Sequence, residues 1–431
     1  MVEMKPSGVQ WLGDIPKEWI LAVLGKYVTQ VKNKNVALSE TNLLSLSYGK
    51  IKRKDISSND GLLPASFDGY NIIEAGDIVL RLTDLQNDHT SLRVGRATER
   101  GIITSAYVTI RPEKYISSEY LYYVLHSFDI VKGFYGMGAG IRQGLTYDGV
   151  QSLKLPSPEI SEQQIIANYL DDRCSKIDEI IEEVTASIEE YKELKQAVIF
   201  EAVTKGLDKN VPMKDSGVEW IGSIPVSWTY FKLRYVVDDI GDIDHYMPES
   251  VVCGIPYVMT GDLKDIASEI EFDSCKQVSY EDYIRLSKKI SVNKGDVIFA
   301  RYASIGVICY VDIDKDFLVS YSCVTIKPKH DLIDSWFLKY YLQSSAFKEE
   351  VMRYANSNVQ ANVGKESMYQ AKIALPSMDE QKEIVNYLDV KVGDIESLIS
   401  EKQALIDDLQ MYKKSLIYEV VTGKRRVRDV N

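Results

Sequence analysis

The chain has 431 residues, and its content of 45% hydrophobic and 26% charged residues is ordinary for a globular protein of more than one domain. The net charge of −12 argues against a protein that is basic throughout. The residues from Met1 to Gln10 lack the order of a signal peptide, and no apolar run approaches the ~18 residues of a membrane span, so we expect a cytoplasmic protein.

The charge is unevenly distributed along the chain. Residues 1–155 carry a net charge of +2, whereas residues 156–212, 213–375 and 376–431 carry −7, −5 and −2. The first globular part is therefore mildly basic, and the most acidic density lies in a segment that need not contact phosphate. Because phosphate affinity comes from Lys and Arg, we expect the isolated chain to bind DNA only weakly.

The first part of the chain predicts a compact α+β domain. Short β-rich runs such as Asp77-Ile78-Val79-Leu80 alternate with Gly, Asn and Asp turns, and an amphipathic helix is predicted near Ser118–Phe128. A Leu-Pro-Ser sequence at 155–157 ends this domain, and a long helix is predicted from about Ser161 to Leu207.

The long helix carries the apolar seam of a coiled coil, with residues that step by threes and fours: Ile166, Leu170, Cys174, Ile177, Ile181, Val184, Ile188 and Tyr191. Acidic clusters lie mainly off this seam. They are interpreted either as a solvated face or as part of a docking surface for another subunit.

The second half of the chain repeats the first. The segment Ser7-Gly8-Val9-Gln10-Trp11-Leu12-Gly13-Asp14-Ile15-Pro16 returns as Ser216-Gly217-Val218-Glu219-Trp220-Ile221-Gly222-Ser223-Ile224-Pro225, and Trp19 returns as Trp228 at the same offset of 209. Val108-Thr109-Ile110 returns at offset 216, and Asn168-Tyr169-Leu170-Asp171 returns at offset 218 as Asn386-Tyr387-Leu388-Asp389. These ordered matches indicate a tandem duplication.

The repeated unit has the same two parts. Residues 213–375 include the strand-like run Asp296-Val297-Ile298-Phe299 and a predicted helix near Ser335–Phe347. After Leu-Pro-Ser at 375–377, a second long helix has the seam Ile384, Leu388, Val392, Ile395, Ile399, Lys402, Ile406 and Leu409, interrupted only by Gly393. The predicted boundaries are thus 1–155, 156–212, 213–375 and 376–431.

The sequence predicts neither a catalytic site nor a metal-binding site. Phe134-Tyr135-Gly136-Met137-Gly138 matches a glycine-rich cofactor loop, but it follows a helix rather than a buried strand. No Asn-Pro-Pro or Asp-Pro-Pro aromatic motif is present. Four scattered histidines and five cysteines without a C-x-x-C pair predict neither a metal site nor a disulfide framework.

Polar and basic residues in loops are the candidates for DNA contact, because Arg, Asn and Gln can read base edges and Lys neutralises phosphate. For any one of these residues taken alone, solvated surface is the favoured interpretation. The candidates are Lys52, Arg53, Arg81, Thr83, Asn87, Arg142 and Gln143 in the first repeat, and Lys288, Arg301, Tyr302, Ser304, Asn356, Asn358 and Gln360 in the second. Arg81 and Arg301 both follow the shared Gly-Asp-strand segment. The terminal Lys424-Arg425-Arg426-Val427-Arg428 either contacts DNA or opposes the negative end of the last helix.

The repeated motif, the Leu-Pro-Ser…Glu-Gln…Tyr-Leu-Asp junction and the Glu-x-Val-Thr helix end resemble specificity (S) subunits of type I restriction-modification enzymes. The resemblance covers essentially the whole chain. It implies two pseudo-symmetric target-recognition domains that each read half of an asymmetric DNA site, and long helices that form an antiparallel coiled coil.

The resemblance also implies partners. Two methylation (M) subunits would supply S-adenosylmethionine, restriction (R) subunits would cleave DNA, and this chain would hold no cofactor or catalytic site. Residues assigned by the resemblance to the framework and the M-docking surface are Glu162, Gln163, Tyr169, Leu170, Glu201 and Thr204, with their copies Glu380, Gln381, Tyr387, Leu388, Glu419 and Thr422.

Two alternatives belong to other classes of protein. One is a fused methyltransferase or nuclease, which the missing Pro-Pro aromatic motif disfavours. The other is a coiled-coil interaction protein without a DNA role, which the loop-borne Arg, Asn and Gln clusters disfavour weakly.

Overall fold

The computed structural model describes residues 3–36, 38–55, 66–86, 88, 90–137, 144–302, 305–353 and 363–427. Contacts divide the chain into two compact units. The first comprises Met1–Thr185 with Ala404–Asn431, and the second comprises Ala186–Gln403. Each unit combines helices and sheets, so the predicted α+β class is confirmed.

The strands of the first unit are β1 (Met4–Pro6), β2 (Asp14–Pro16), β3 (Ile20–Val23), β4 (Val28–Gln30), β5 (Leu44–Ser47), β6 (Lys50–Arg53), β7 (Asn71–Ile73), β8 (Ile78–Leu80), β9 (Val94–Arg96), β10 (Gly101–Ile103), β11 (Val108–Pro112) and β12 (Lys154–Ser157). Its helices are α1 (Ser118–Ile130), α2 (Tyr147–Val150) and the first part of α3 (Ile160–Lys205).

The strands of the second unit are β13 (Met213–Asp215), β14 (Ser223–Pro225), β15 (Thr229–Lys232), β16 (Val237–Gly241), β17 (Ile255–Val258), β18 (Lys276–Val278), β19 (Val297–Ala300), β20 (Ile308–Tyr310), β21 (Leu318–Val319), β22 (Cys323–Pro328) and β23 (Lys372–Leu375). Its helices are α4 (Tyr280–Ser287), α5 (Ser335–Gln343), α6 (Ser345–Met352), α7 (Lys365–Gln370) and most of α8 (Met378–Val421).

A four-stranded antiparallel sheet lies in each unit, and the strand order is equivalent. It runs β4-β11-β8-β9 in the first unit and β16-β22-β19-β20 in the second. The central strand β8 is apolar and fully buried, as expected for a continuous run such as Ile78-Val79-Leu80. A buried aspartate precedes the strand in both units, with Asp77 paired to Arg111 at 2.7 Å and Asp296 paired to Lys327 at 2.8 Å.

The predicted seams of α3 and α8 are the buried faces of these helices. Leu170, Ile188, Leu388 and Ile406 are buried, and the other seam residues are buried or half-buried. Gly393 does not interrupt α8, because the helix is continuous through this exposed position. Each helix ends before a glycine with positive φ, Gly206 at +74° or Gly423 at +73°, as is common where a helix terminates.

Within each unit, α3 and α8 run in opposite directions. In the first unit, Asp178 of α3 forms an ion pair with Lys413 of α8 at 2.6 Å. In the second, Lys195 of α3 pairs with Glu396, and the ammonium of Lys402 lies 5.4 Å from the Tyr191 ring.

The core of each unit is closed by the C-terminal end of a long helix. In the first unit, Leu12, Ile15 and Trp19 share a cluster with residues of α1, of α3 and of the end of α8, where Leu416, Ile417, Val420 and Val421 are buried. In the second, Ile221, Ile224 and Trp228 pack with α8 and with the end of α3, where Ile199, Ala202 and Val203 are buried.

The helix predicted near Ser335–Phe347 is divided into two. α5 ends at Gln343, and α6 begins at Ser345. The Ser344 hydroxyl accepts a hydrogen bond from the Phe347 backbone N–H and so caps α6. Because Ser is a favoured N-cap residue, the break lies where a new helix can start.

Two buried ionisable groups of α1 give the first unit a pH dependence. Burial lowers the pKa of His126 to about 4, with Lys413 and Lys414 adding to the effect. Burial raises the pKa of Asp129 to about 6. The native state therefore resists protonation of His126 but favours protonation of Asp129, so their contributions to stability oppose each other as the pH falls.

Replacing His126 should remove its contribution to the pH dependence of stability. We expect His126→Phe, which keeps an aromatic ring against Tyr122, to gain stability relative to wild type as the pH falls from about 6.5 to about 4. The gain should approach about 3 kcal/mol at the acid end, because the wild type then bears the full cost of its lowered histidine pKa. Thermal unfolding measured between pH 4 and 8 tests this, and a difference that does not change with pH would contradict it.

Candidate nucleic-acid interface

Two loops separated by about 60 residues of sequence meet in the first unit, at the end of β8. The backbone N–H of Leu145 donates to the carbonyl of Leu82 at 2.8 Å. The first loop follows β8 and carries Arg81 and Thr83. The second loop ends at Leu145. Arg142 and Gln143 come just before it in the sequence and lie outside the described residues, as does Asn87 in the first loop.

The second unit brings the equivalent loops together. The backbone N–H of Val363 donates to the carbonyl of Arg301 at 3.3 Å, at the end of β19. Tyr302 is half-buried beside this contact. Ser304, Asn356, Asn358 and Gln360 were predicted to lie on these two loops, and all four fall outside the described residues.

The strand register shows which positions correspond. β8 and β19 pair with the equivalent strands β11 and β22 so that Leu80 faces Val108 and Phe299 faces Val324. Continuing two residues along each strand makes Leu82 the counterpart of Arg301. Arg81 therefore corresponds to Ala300, and not to Arg301. Because a one-residue shift moves a side chain to the other face of a strand, Arg81 and Arg301 point to opposite faces.

Arg301 consequently lies inside the second unit, with its side chain only 6% exposed. Its guanidinium forms an ion pair with buried Asp242 and donates to the Tyr321 carbonyl at 3.1 Å. Burial alone would raise the pKa of Asp242, but Lys365, Arg301 and Lys289 together hold it below its ordinary value. A contact between Arg301 and DNA would require this side chain to leave Asp242.

Two cations beside Asp242 remain partly exposed. Lys365 lies 3.1 Å from the carboxylate and is 35% exposed, and Lys289 lies 3.7 Å away and is 45% exposed. Sequence reasoning did not single out Asp242 or Lys365, because Asp242 and Arg301 are 59 residues apart and no local pattern links them.

The other candidate residues differ in their exposure and in whether they already pair with a carboxylate. Arg81 is 32% exposed and lies 3.6 Å from Asp88, whereas Thr83 is exposed. Lys52 and Lys288 are exposed, on β6 and just after α4. Arg53 is exposed but holds both carboxylate oxygens of Glu99. An exposed ion pair of this kind contributes little to stability, so Arg53 can exchange Glu99 for another anion.

The repeated Glu-Gln pair joins the globular part to the long helix. Glu162 accepts from the indole N–H of buried Trp19 at 3.1 Å, and Glu380 accepts from that of Trp228 at 2.9 Å. The next residue, Gln163, accepts from the Ser117 backbone N–H at 2.9 Å, and Gln381 accepts from that of Asp334 at 2.7 Å.

Other residues of the predicted framework are also internal. Leu170 and Leu388 are fully buried in the two cores, and the hydroxyls of Thr204 and Thr422 each donate at 2.6 Å to the carbonyl four residues earlier. Exposed or half-exposed positions among the predicted set are Glu162, Tyr169, Glu201, Glu380, Tyr387 and Glu419.

The amide of Gln163 offers a direct test of the framework role. It is 1% exposed, and its Nε2 donates to the Pro158 carbonyl at 2.9 Å. We expect Gln163→Ala to lower the free energy of unfolding by about 1–3 kcal/mol, because buried backbone partners lose their hydrogen bonds. Gln164→Ala, at an exposed neighbour, should change it by less than about 0.5 kcal/mol. Equal losses in the two variants under urea denaturation would contradict the assignment.

The C-terminal basic run folds back on the first unit. Lys424 donates to the Leu12 carbonyl at 2.7 Å, and its ammonium lies 4.1 Å from the Tyr418 ring. Arg426 forms an ion pair with Glu18. These two cations therefore have partners within the protein, while Arg428 lies outside the described residues.

Within the described ranges, no group of three or more His, Cys, Asp or Glu side chains is arranged to hold a metal ion. The same residues include no helix with the length and apolarity needed to cross a membrane. Phe134, Tyr135 and Gly136 of the glycine-rich motif lie in a short 3₁₀ helix, Gly133–Gly136, after α1, and Gly138 falls outside the described residues.

The structure thus defines an α+β protein in which a backbone hydrogen bond joins two distant segments at the end of β8 and again at the end of β19. Residues 225–406 match the family described as type I restriction modification DNA specificity domain. The resemblance deduced from the repeated motifs is therefore confirmed.

Two relatives from Methanocaldococcus jannaschii extend the similarity over the chain. The type I restriction enzyme MjaVIII specificity subunit is 25% identical over 97% of this chain and 95% of its own length. The putative type I restriction enzyme MjaX specificity subunit is 23% identical over 97% and 96%. These similarities confirm the expected class, a specificity subunit, which is not itself a catalytic component and for which no cofactor is expected.

A solved structure shares the fold. It is a chain from the work on complex assembly and conformational transition of the type I R-M system, with a TM-score of 0.69 and 17% identity. The alignment covers 95% of this chain and 99% of that one.

Proposed function

We propose that the chain is the sequence-specific DNA-recognition subunit of a type I restriction-modification enzyme. It reads an asymmetric site of two half-sites and directs methylation and cleavage by partner M and R subunits. It acts in the cytoplasm on double-stranded DNA and holds no S-adenosylmethionine, which the M subunit supplies.

The observation that carries this proposal is the loop pair at the end of β8 and of β19. In each pair, a backbone hydrogen bond at the end of a sheet strand joins two segments that are distant in sequence. The adjoining sequence contains Arg, Asn, Gln and Tyr, which are residue types suited to the reading of base edges. The pairs have equivalent positions but different side chains, such as Leu82 in place of Arg301. Two different loop pairs support an asymmetric, bipartite target.

The proposed domain boundaries follow the repeat. Residues 1–155 and 213–375 are the target-recognition domains, and residues 156–212 and 376–431 contain the spacer helices. The continuous seams and the opposed directions of α3 and α8 within each unit support an antiparallel coiled coil and a tandem pseudo-symmetric chain.

Exposed apolar side chains on the long helices support docking of M subunits. In the first unit they are Ile180, Leu405, Met411 and Tyr412, and in the second they are Tyr387, Val390, Leu194 and Leu398. Such side chains on solvated helices are favourable contacts for a partner protein, since their burial releases water. The half-buried Tyr169 and the exposed Tyr387 of the predicted docking set lie on the same helices.

The test compares the purified chain with the chain assembled with M subunits. We expect weak, strongly salt-dependent DNA binding by the chain alone, and tight binding of one bipartite sequence once M is present. Methylation by the purified chain alone, or binding by the assembly that shows no sequence preference, would contradict the proposal.

Arg81 allows one half-site to be tested separately. We expect Arg81→Ala to reduce discrimination at the half-site read by the first domain by about 1–3 kcal/mol, and to leave the other half-site unchanged. Arg96→Ala is the matched control, because Arg96 is on β9 and pairs with Glu119 at 2.8 Å. Competition binding with duplexes altered in one half-site measures both. Equal loss at both half-sites would indicate a general phosphate contact.

A further inference from the structure

Arg93 is a buried cation at the end of the first recognition loop, immediately before β9. Its side chain is 0% exposed. Removing a guanidinium from water costs several kcal/mol unless its donors find partners. The partners of Arg93 therefore indicate what the residue does.

The guanidinium donates mainly to backbone carbonyls of one short segment. Nη1 donates to Arg81 at 3.1 Å and to Thr83 at 2.9 Å, and Nη2 donates to Asp84 at 3.4 Å and to Asp88. The nearest carboxylate oxygen, on Asp88, is 4.0 Å away. Carbonyls of four residues can converge on one fork of donors only if the loop backbone keeps this conformation.

Tyr135 completes the arrangement. Arg93 Nε donates to the Tyr135 hydroxyl at 2.9 Å, which in turn donates to the Asp88 carbonyl at 2.9 Å. The guanidinium also lies 5.0 Å from the centre of the Tyr135 ring. Tyr135 belongs to the glycine-rich motif that resembled a cofactor loop. In the structure, this residue of the motif helps to hold Arg93 and the loop before β9 in place.

The loop held in this way contains a costly backbone conformation. Asp84 has φ of +57°, in the left-handed region that non-glycine residues seldom adopt. The hydrogen bonds from Arg93 to the neighbouring carbonyls offset this cost. Without them, we expect the loop to open into other conformations.

The second unit has a different residue at the position of Arg93. Arg81 N–H bonds to the Arg93 carbonyl at 2.8 Å, and in the equivalent place Ala300 N–H bonds to the Val307 carbonyl at 2.9 Å. Val307 is thus the counterpart of Arg93. The intervening loop is 301–306 in the second unit but 82–92 in the first; residues 303–304 of the former and Asn87 and His89 of the latter lie outside the described residues. Arg93 thus anchors the longer loop from a position that Val307 occupies beside the shorter one.

We propose that Arg93, with Tyr135, is a positioning residue for DNA recognition: it fixes the loop that presents Arg81 and Thr83 and so sets the bases read at one half-site without contacting DNA. This assignment rests on the proposed function. It predicts that specificity at one half-site depends on a residue whose side chain is 0% exposed.

The test uses the chain assembled with its M subunits and a duplex library randomised at both half-sites. Arg93→Met should reduce base preference at the first half-site by at least about tenfold, the scale of one lost base contact, with the second half-site unchanged. Tyr135→Phe, a milder change that keeps the ring, should give a smaller loss at the same positions. Arg93→Lys should restore part of the preference, because an ammonium can reach fewer of the carbonyls.

A second readout does not depend on DNA. In the free chain, Arg93→Met should accelerate amide hydrogen exchange in residues 82–92 while leaving α1 and β11 protected. Arg111→Met is the matched control, since it removes an arginine of β11 that pairs with Asp77, the residue before β8. It should lower stability without changing base preference.

The outcomes separate the two proposals. If the wild-type assembly shows no base preference, the proposed function fails, and the positioning role fails with it. If wild type reads both half-sites and the Arg93 and Tyr135 variants read them equally well, only the positioning role is overturned. Equal losses at both half-sites, or a loss with the Arg111 control, would also overturn it.

Discussion

Seven residues inserted into each long helix should lengthen the gap between the half-sites by up to about three base pairs. The insertions belong after Glu190 in α3 and after Lys402 in α8, because Tyr191 and Lys402 are neighbours in the second unit. Seven residues preserve the heptad seam and add about 10 Å at the helical rise of ~1.5 Å per residue. With bases stacked ~3.4 Å apart, this sets the upper limit.

Each base pair added between the half-sites also rotates one half-site about the duplex axis relative to the other. If the lengthened protein cannot follow this rotation, the spacing should increase by less than about three base pairs. Sequencing of methylated sites from cells that express the doubly lengthened chain with its M subunits measures the result. The matched control inserts seven residues into α3 alone, which should leave the new turns of α3 without a partner and abolish activity. Retained methylation at the original spacing in the double variant would refute the role of the helices as a spacer.

A fragment ending at Lys209 should dimerise and, with M subunits, methylate a symmetric site. The truncation removes Leu416, Ile417, Val420 and Val421 from the core of the first unit. The end of α3 is the repeat counterpart of the lost segment at offset 218, and it offers Ile199, Ala202 and Val203. A second copy of the fragment can therefore close the core from its own α3, as two-fold symmetric association allows.

Size-exclusion chromatography at micromolar concentration and sequencing of methylated sites test this expectation. The methylated sequence should contain the first half-site twice, in inverted orientation. Val203→Asp in the fragment is the matched control, since a charge at this core position should prevent dimer formation. A monomeric fragment that still methylates DNA would contradict the prediction.

The long helices were predictable from sequence because their signals are local and repeated. The Leu-Pro-Ser segment and the seam from Ile166 to Tyr191 predicted a start near Ser161, and the helix begins at Ile160. The one misleading signal was Gly393, whose helix-weakening tendency is overridden by packing on either side. Seam residues Val392 and Ile395 next to it are buried.

The side chains at the recognition loops were less predictable. Arg301 was placed beside Arg81 by its distance from a shared Gly-Asp motif, but one residue of strand register directs it inward to Asp242. Arg93 was not among the predicted contact residues, and only the folded loop shows that its donors point at nearby carbonyls. The burial of Arg301 depends on a partner 59 residues away, and that of Arg93 depends on the backbone conformation of an irregular loop. Neither follows from a local sequence pattern.

The most direct test of the central claim is methylation-sensitive sequencing of DNA from cells that express this chain with its M subunits. The account predicts one methylated motif made of two defined half-sites separated by a fixed number of unspecified bases. It also predicts that replacing residues 213–375 with the corresponding domain of another specificity subunit changes one half-site only. A single continuous motif, or a motif that stays the same after the replacement, would contradict the account.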